Sequence, residues 1–441
     1  MASVIKIYAL FLGSALLMFG GGLQGLLLSV RGAEEGFSML ALGLIGTGWS
    51  VGFVAGSVTV PLVVRKVGHI RAFSVMAAIG TVTILLNLLL VNDIGWIVLR
   101  SLSGFCFAGA AMIVESWLNE VAENKSRGTI FSIYVTINMA SSTMGQIAMS
   151  ITGTAGYIPF VVGAISFICA VLPTALTSSP QPRPLASAKL DIGLLYRTSP
   201  VAAIAAFSCG MANGAFGTMA PVYGHEQGLD SSGIALLFAL AATLGATAQI
   251  PFGRLSDRID RRIVLIGLAS SAACIGALTV LINPGPNWVM FVLFAAYGFA
   301  ANPLYAVAVA HANDFARDGD FAKIAGGMLM IMGMGLAIGP ALASIIMGAW
   351  SPVGLFTVTA SFHGALALTA FLRMRARKSK NASERTPFRP MATDKPDTPE
   401  TIELDPRAES ESYPVPPGEP PVPDELATSP EETDHVQDRP V

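Results

Sequence analysis

Long apolar stretches separated by short polar breaks make up most of the chain as far as residue 376. A helix needs about 20 apolar residues to cross a bilayer core of about 30 Å. Stretches of this length predict an all-α membrane protein with twelve transmembrane helices, near residues 7–30, 39–64, 72–91, 95–118, 129–150, 155–176, 200–222, 232–252, 263–282, 288–310, 324–347 and 353–372.

Lys and Arg residues are distributed unevenly over the polar breaks. Short loops rich in these cations mark the cytoplasmic side of a membrane protein. One side of the predicted arrangement has only Arg31, so we expect both termini to be cytoplasmic, in the cytoplasmic (inner) membrane of a bacterium. The cations of the other side are Lys6, Arg65, Lys66, Arg71, Lys125, Arg127, Arg183, Lys189, Arg197, Arg254, Arg258, Arg261, Arg262, Arg317 and Lys323.

The middle of the chain contains a Pro-rich and Ser-rich loop, residues 177–199, whose composition is typical of an extended linker. It separates two predicted six-helix halves, residues 1–176 and 200–376. A weak internal repeat supports two pseudo-symmetric halves. A shift of 194 residues places Gly104-Phe105 on Gly298-Phe299, Asn119-Glu120 on Asn313-Asp314, and Gly145 on Gly339.

The composition agrees with a membrane protein: 53% of the residues are hydrophobic, 13% are charged, and the mean hydropathy is +0.61. Residues 377–441 differ from the rest, because they are rich in Pro and acidic side chains. Such a composition cannot bury enough apolar surface to fold alone. We therefore expect a disordered cytoplasmic tail, and we favour a solvated tail without a function of its own over a partner-binding one.

Residues for enzymatic chemistry are not apparent in the sequence. The four cysteines lie in apolar stretches without CxxC spacing or nearby His residues, so we interpret them as small core residues. A phosphate-binding loop, a metal-ligand cluster and a Ser/His/Asp set in plausible context are also missing. We expect no enzyme activity, no cofactor, no metal and no nucleic-acid partner.

The polar break at residues 253–262 has a distinctive motif, Gly253-Arg-Leu-Ser-Asp257-Arg258-Ile-Asp260-Arg261-Arg262. It resembles the signature loop of the major facilitator superfamily of secondary transporters, although Asp260 stands where that family usually has Gly. The resemblance implies a conformational latch formed by Gly253, Asp257, Arg258, Arg261 and Arg262. In the family this loop holds the cytoplasmic ends of the two halves together while the protein is open to the outside.

The corresponding loop of the first half, residues 61–71, has Pro61 in place of the first Gly and Arg65 in place of the Asp. The predicted latch is therefore one-sided. Three phrases resemble the YcaD-like branch of the superfamily: Ile113-Val-Glu-Ser116, Pro221-Val-Tyr-Gly-His225 and the start of the same motif, Gly253-Arg-Leu-Ser-Asp257.

Two charged residues of the predicted fourth span are candidates for coupling or gating. Arg100 begins Arg-x-x-x-Gly, an element that the superfamily also has, and a charge within a membrane is costly enough to indicate a role. Arg100 lies close enough to the outer side that its side chain could instead reach the headgroups. Glu115 lies near the cytoplasmic side. There we slightly prefer the interpretation that it pairs with Arg65 or Lys66 to the interpretation that it carries protons.

Polar or aromatic side chains occur near the middle of several spans, and the resemblance places most of those spans around a central cavity. Taken singly, each is more simply explained by a helix–helix hydrogen bond. As a set they are candidate cavity residues for a neutral or modestly polar solute: Gln24, Trp49, Asn138, Asn213, Asn302 and Tyr305.

The sequence therefore predicts a monomeric secondary transporter that moves a small organic solute by alternating access, with proton coupling left open. Its expected partners are the solute and membrane lipid. Two alternatives remain: an exporter of lipid-like or hydrophobic compounds, and a non-transporting membrane sensor that signals through its tail.

Overall fold

The structure is a computed structural model that describes residues 2–121, 127–175, 191–317 and 320–376, together with residues 380, 385, 386, 388, 390, 391 and 398–404. Most of the predicted linker and tail therefore lie outside the described residues. All regular elements within the described residues are α-helices. They are α1 (Ala2–Glu34), α2 (Met39–Val67), α3 (His69–Leu89), α4 (Asp93–Val121), α5 (Arg127–Thr152), α6 (Ile158–Cys169), α7 (Val171–Ala175), α8 (Ile192–Thr198), α9 (Pro200–Glu226), α10 (Ser231–Arg258), α11 (Arg261–Ile282), α12 (Trp288–Ala301), α13 (Pro303–Asp314), α14 (Phe321–Ala349), α15 (Gly354–Ala376) and α16 (Pro399–Leu404).

Ten helical segments of the described chain are long and apolar enough to cross a membrane. One of them combines α12 and α13, which meet at Asn302 because Pro303 has no N–H to continue the backbone ladder. The predicted fifth span is α5, which has 26 residues but many polar ones. The predicted sixth corresponds to the shorter α6 and α7. The count of twelve spans stays a prediction.

The helices form two groups in which the same pairs recur. In the first group α1 packs against α5 and α2 against α4, and in the second α9 packs against α14 and α10 against α12. Gly104 and Gly298, which the 194-residue repeat aligns, make the same close approach. A Cβ on Gly104 would overlap the carbonyl of Trp49, and one on Gly298 would overlap that of Ala241. The repeat therefore reflects equivalent packing in two halves.

Polar side chains at the helix starts fix where the helices begin. Ser38, Asp230 and Asp260 are the N-cap residues of α2, α10 and α11, and each side chain accepts a hydrogen bond from a backbone N–H of the first turn. Asp260 thus has a capping role at a position where the resemblance leads us to expect Gly. Its φ is −56°, so this position does not require glycine.

The two ends of the bundle differ in charge. The "basic end" is the end at which α2 finishes in Arg65 and Lys66 and α10 finishes in Arg258. At the "opposite end", Arg31 forms ion pairs with Glu34 and Glu35. The structure thus gives the two ends the cation asymmetry that the sequence predicts, whereas the cytoplasmic position of the termini stays a prediction.

Candidate functional site

A cavity of about 240 Å³ lies between the two halves. Helices α1, α2, α4 and α5 of the first half and α9, α10, α12 and α14 of the second contribute to its wall. Four of the predicted site residues line it: Trp49, Arg100, Asn213 and Asn302.

Arg100 points into the bundle and is 8% exposed. One guanidinium N–H donates to Gln24 Oε1 at 2.8 Å, and the guanidinium carbon lies 5.6 Å from the centre of the Trp49 ring. Ser103 donates to the same Gln24 oxygen at 3.0 Å. Gln24 therefore lies behind Arg100 and orients it, and the structure does not favour the interpretation in which Arg100 reaches the headgroups.

Arg100 is the one charged residue among the described residues that line the cavity, and that lining contains no Asp or Glu. A guanidinium has five N–H donors. Removing such a cation from water is costly unless an anion and further acceptors compensate it. The first half thus presents a cation whose bonded neighbour, Gln24, is neutral.

The second half presents amide and aromatic groups to the same cavity. Asn302, at the break between α12 and α13, donates to the carbonyl of Ala241 at 3.4 Å. Phe216 stacks on Tyr297 with ring centres 4.9 Å apart and packs against Phe238 at 5.6 Å. This wall is adapted to an apolar or ring-shaped group with few polar contacts.

Two of the predicted cavity residues serve elsewhere. Asn138 is fully buried and accepts a hydrogen bond of 2.7 Å from Ser14, which links α5 to α1. Tyr305 is 3% exposed and belongs to a separate apolar cluster of the second half. Neither lines the cavity, so helix packing explains their positions.

The sequence interpretation missed Ser142 and Gln146, which bring α5 to the cavity wall. Gln146 Oε1 is buried and has no hydrogen-bond partner among the described residues. A signal for these residues was present, because the run from Ser141 to Gln146 is polar within an otherwise apolar helix. The same polar run lowers the hydropathy of α5.

The halves pack directly against each other at the opposite end. Thr47 donates to the carbonyl of Ala337 at 2.6 Å, and Ser50 donates to that of Leu336 at 3.1 Å. A Cβ on Gly43 would overlap Ser344. Contact between α2 and α14 therefore separates the cavity from the opposite end.

At the basic end, the loop after α10 forms a buried charge cluster. Arg261 is 1% exposed and donates to Asp314 at 2.7 Å and to Asp257 at 3.1 Å. Arg262 binds Asp260 at 2.7 Å. Burial raises the pKa of Asp260, but hydrogen bonds and charge attraction from Arg262 lower it more, so the net pKa lies below its ordinary value.

The other predicted latch residues also lie at this end. Gly253 is buried, and a Cβ there would overlap the ring of Phe388. Arg258 is exposed. The contacts of Asp257 join it to Arg261 of its own half and to the tail, so a latch between the two halves stays a prediction.

Glu115 is fully buried at the basic end of α4. It accepts a hydrogen bond of 2.6 Å from the Tyr134 hydroxyl and another from the Thr398 hydroxyl of the tail. Glu115 lies outside the cavity lining, so the structure does not bring the two coupling candidates, Arg100 and Glu115, together.

The tail packs against the bundle in its described part. Residues 385, 386, 388 and 391 contact the second half, and α16 contacts α4, α5 and α14. We expected residues 377–441 to be disordered. In the described residues, backbone groups of the tail pair with buried side chains of the bundle, and the disorder of residues 377–441 stays a prediction.

Within the described residues, ten apolar helical segments, two groups of helices with the same packing and a central cavity define the class: a helical membrane transporter. The chain belongs to the Major Facilitator Superfamily, whose family model matches residues 10–245 and 202–405. Within the superfamily it is similar to proteins named YcaD, the likeness that the sequence phrases predicted. An uncharacterized MFS-type transporter YcaD of Escherichia fergusonii is 23% identical over 333 residues, which are 75% of this chain and 85% of that protein.

Solved structures share the fold. A variant of the nucleoside transporter NupG superposes with a TM-score of 0.69 at 13% identity and covers 83% of this chain and 99% of its own. A bacterial homologue of the human lysosomal transporter Spinster, described as inward-facing and occupied, gives a TM-score of 0.66 at 15% identity over 86% of this chain and 97% of its own.

Proposed function

We propose that this protein is a secondary transporter that moves a small organic anion with an apolar or ring-shaped body by alternating access. The observation that supports this proposal most is Arg100, a buried cation that faces the cavity without an acidic partner in the described lining. An ionisable residue inside a membrane protein is a functional-site candidate by default.

The two halves of the protein would recognise different parts of the solute. A carboxylate or similar anion would neutralise Arg100 and occupy its free N–H donors through charge-assisted hydrogen bonds. Trp49, Phe216 and Tyr297 would enclose the rest of the solute, and Asn213 and Asn302 would supply neutral polar contacts. Because the site lies between the halves, rocking one half against the other would expose it at each end in turn.

We infer that the protein is a monomer in a bacterial cytoplasmic membrane, that its basic end faces the cytoplasm, and that the two halves are apart at that end in this conformation. The cation asymmetry supports this orientation. The direct packing of α2 on α14 at the opposite end, and the likeness to a structure described as inward-facing, support the conformation. Energy would come from a solute or ion gradient, with protons as the first ion to test.

Counterflow into proteoliposomes tests the proposal, with three solutes of similar shape: phenylacetate, 2-phenylethanol and 2-phenylethylamine. We expect saturable uptake of the anion alone. Arg100→Gln should lower that uptake at least about 30-fold, because losing one member of a buried charge pair costs about 2–5 kcal/mol. Arg100→Lys should retain more activity than Arg100→Gln, since it keeps the charge.

Arg31→Gln is the matched control, because Arg31 lies at the opposite end and outside the cavity lining. It should transport normally. Equal uptake of the three solutes, or full anion uptake by Arg100→Gln, would refute the anion site. Saturable uptake of the alcohol alone would favour an exporter of hydrophobic compounds. Repeating the assay with and without a protonophore tests proton coupling.

A further inference from the structure

We propose that the chain's own tail plugs the basic end of the bundle and must leave before that end can close. The "tail segment" is residues 385–404, of which 385, 386, 388, 390, 391 and 398–404 are described. Its contacts fall into three groups, two on the second half and one on the first.

The first group of contacts is on the charge cluster of the second half. The backbone N–H of Thr386 donates to Asp314 at 2.9 Å, and the backbone N–H of Phe388 donates to Asp257 at 3.1 Å. Arg385 donates to the carbonyl of Ile259 at 2.6 Å. The two carboxylates that hold Arg261 thus also hold the tail, and the Phe388 ring covers Gly253.

The second group is a paired hydrogen bond inside the bundle. Gln249 is 1% exposed on α10 and accepts from the backbone N–H of Met391 at 3.0 Å. Its amide also donates to the Met391 carbonyl at 2.9 Å. The tail therefore satisfies both ends of a buried amide, which would otherwise be costly to leave unpaired.

The third group is on the first half. Thr398 starts α16 as an N-cap residue, with Pro399 in the first helical position, and its backbone N–H and side chain pair with Thr401. The Thr398 hydroxyl donates to Glu115, and Asn119 donates to the carbonyl of Glu400 at 3.1 Å. This end of the tail segment is buried against α4.

The described tail residues therefore contact both halves at the basic end. The second-half contacts include Asp314, and the first-half contacts include Asn119, which the internal repeat places on Asn313. The tail segment thus joins corresponding ends of α13 and α4. Alternating access requires these ends to approach each other, and we infer that tail residues bound to both ends hinder that approach.

The consequence is self-inhibition. A ligand that binds one conformation more tightly than another shifts the population toward it. A tethered segment acts at an effective concentration in the millimolar range. Bound tail therefore holds the protein open at the basic end, and its release allows the cycle to proceed. This inference concerns the conformational cycle and does not depend on the identity of the solute.

The chemistry of the contacts distinguishes this docking from general charge attraction. The segment comes from an acidic tail, yet it binds acidic side chains through backbone N–H groups and hydroxyls. Screening by salt mainly weakens interactions between exposed charges. We therefore expect docking to change less than about threefold between 50 and 300 mM salt, and a tenfold loss would identify the contact as nonspecific.

Peptide binding tests the docking without any transport. A labelled peptide of residues 381–404 should bind saturably to a protein lacking residues 381–441 and should fail to bind the full chain, whose site is occupied. The NupG variant superposes over 99% of its own length on 83% of this chain. A protein with this fold can therefore be shorter than the full chain. The Met391→Glu peptide and Gln249→Leu in the truncated protein should each weaken binding at least tenfold.

A scrambled peptide of the same composition is the control and should not bind. Equal binding of the scrambled peptide, equal binding to the full chain, or no binding at all would overturn the proposal. Fluorescence anisotropy in detergent measures all of these.

Transport tests the inhibition itself. Removing residues 381–441 should raise the turnover several-fold, whereas removing only residues 405–441 should leave it unchanged. The full-length variant Met391→Glu should behave like the longer deletion. Peptide 381–404 added on the basic side should inhibit the truncated protein. Equal turnover in the full chain, both deletions and the variant would show that the tail does not restrain the cycle.

If the protein moves no tested solute, the peptide result still decides the docking. In that case the proposed anion transport is refuted, and the binding of the peptide alone decides whether the tail docks on the bundle.

Discussion

The loop after α10 and the loop after α2 occupy corresponding places in the two halves but have opposite chemistry. In the loop after α10, Arg261 is buried between Asp257 and Asp314. Counting from Gly253 and Pro61, His69 takes the place of Arg261 in the first half. His69 is also buried, but it packs against the ring of Trp117 at 6.1 Å between ring centres.

The difference shows why the tail docks asymmetrically. The cluster of the second half has carboxylate oxygens available for backbone N–H groups of the tail after Arg261 has been bound. At the corresponding place in the first half, an imidazole and an indole are in contact instead. The first half instead binds a more C-terminal part of the tail, Thr398 and Glu400, through Glu115 and Asn119 on α4.

The largest expected effect comes from removing the central cation. Arg261→Leu leaves two carboxylates without their buried partner, which typically destabilises a protein by about 3–5 kcal/mol. His69→Leu in the first half should cost less than about 1 kcal/mol, because its surroundings are apolar. Unfolding of both variants in mixed micelles measures the difference, and equal losses would show that the two loops do not differ in this way.

A medium effect should follow from weakening the acid without removing it. Asp257→Asn keeps the shape but removes the carboxylate charge, so the ion pair with Arg261 becomes a weaker hydrogen bond to a neutral amide. If the loop also latches the halves, transport at normal expression should fall at least about tenfold. Arg254→Gln is the control, since Arg254 is an exposed cation of the same loop and lies outside the predicted latch. Full activity of Asp257→Asn would refute the latch.

The smallest effects concern how α3 and α11 begin. Gly68 has a φ of +83°, so Gly68→Ala should cost about 1–2 kcal/mol. Asp260→Ala should cost about 1 kcal/mol through the lost cap, in addition to the loss of its ion pair with Arg262. The lowered pKa of Asp260 adds a pH test: its contribution is present above its unfolded-state pKa of 3.8 and is lost as pH falls through the lower folded-state pKa.

The difference in thermal midpoint between the native protein and Asp260→Ala should therefore be constant from pH 5 to 8 and shrink below that window. A difference that grows as the pH falls would contradict the assigned direction.

Much of the fold could be predicted from the sequence. Apolar stretches predicted the membrane helices, and the motif at residues 253–262 predicted the superfamily, which the family model confirms. The repeat that aligned Gly104 with Gly298 is matched by equivalent helix contacts. These features depend on local composition and spacing, which the sequence shows directly.

The site was harder to predict, because it depends on which way each helix face turns. From its depth along α4, the Arg100 side chain could reach either the headgroups or the interior of the bundle. Its hydrogen bond to Gln24 on α1 shows that it points to the interior. Asn138 has the depth of a cavity residue but faces Ser14. Hydropathy does not report such rotations.

The tail was missed for a different reason. Its docking uses backbone groups and a few side chains such as Phe388 and Met391, while its overall composition is typical of disorder. The helix start at Thr398-Pro399 was readable in the sequence. Its binding partner was not, because Glu115 is 283 residues away along the chain.

The two ends of the bundle are held differently: α2 packs directly against α14 at the opposite end, whereas the bound tail keeps the two halves apart at the basic end. Spin-label distances measured across both ends of one protein test this difference most directly. The basic-end pair is Lys66→Cys with Arg254→Cys, and the opposite-end pair is Val91→Cys with Leu281→Cys, after replacement of the four native cysteines. On deletion of residues 381–441, we expect shorter distances at the basic end and longer ones at the opposite end. Unchanged distances, or changes in the same direction at both ends, would contradict it.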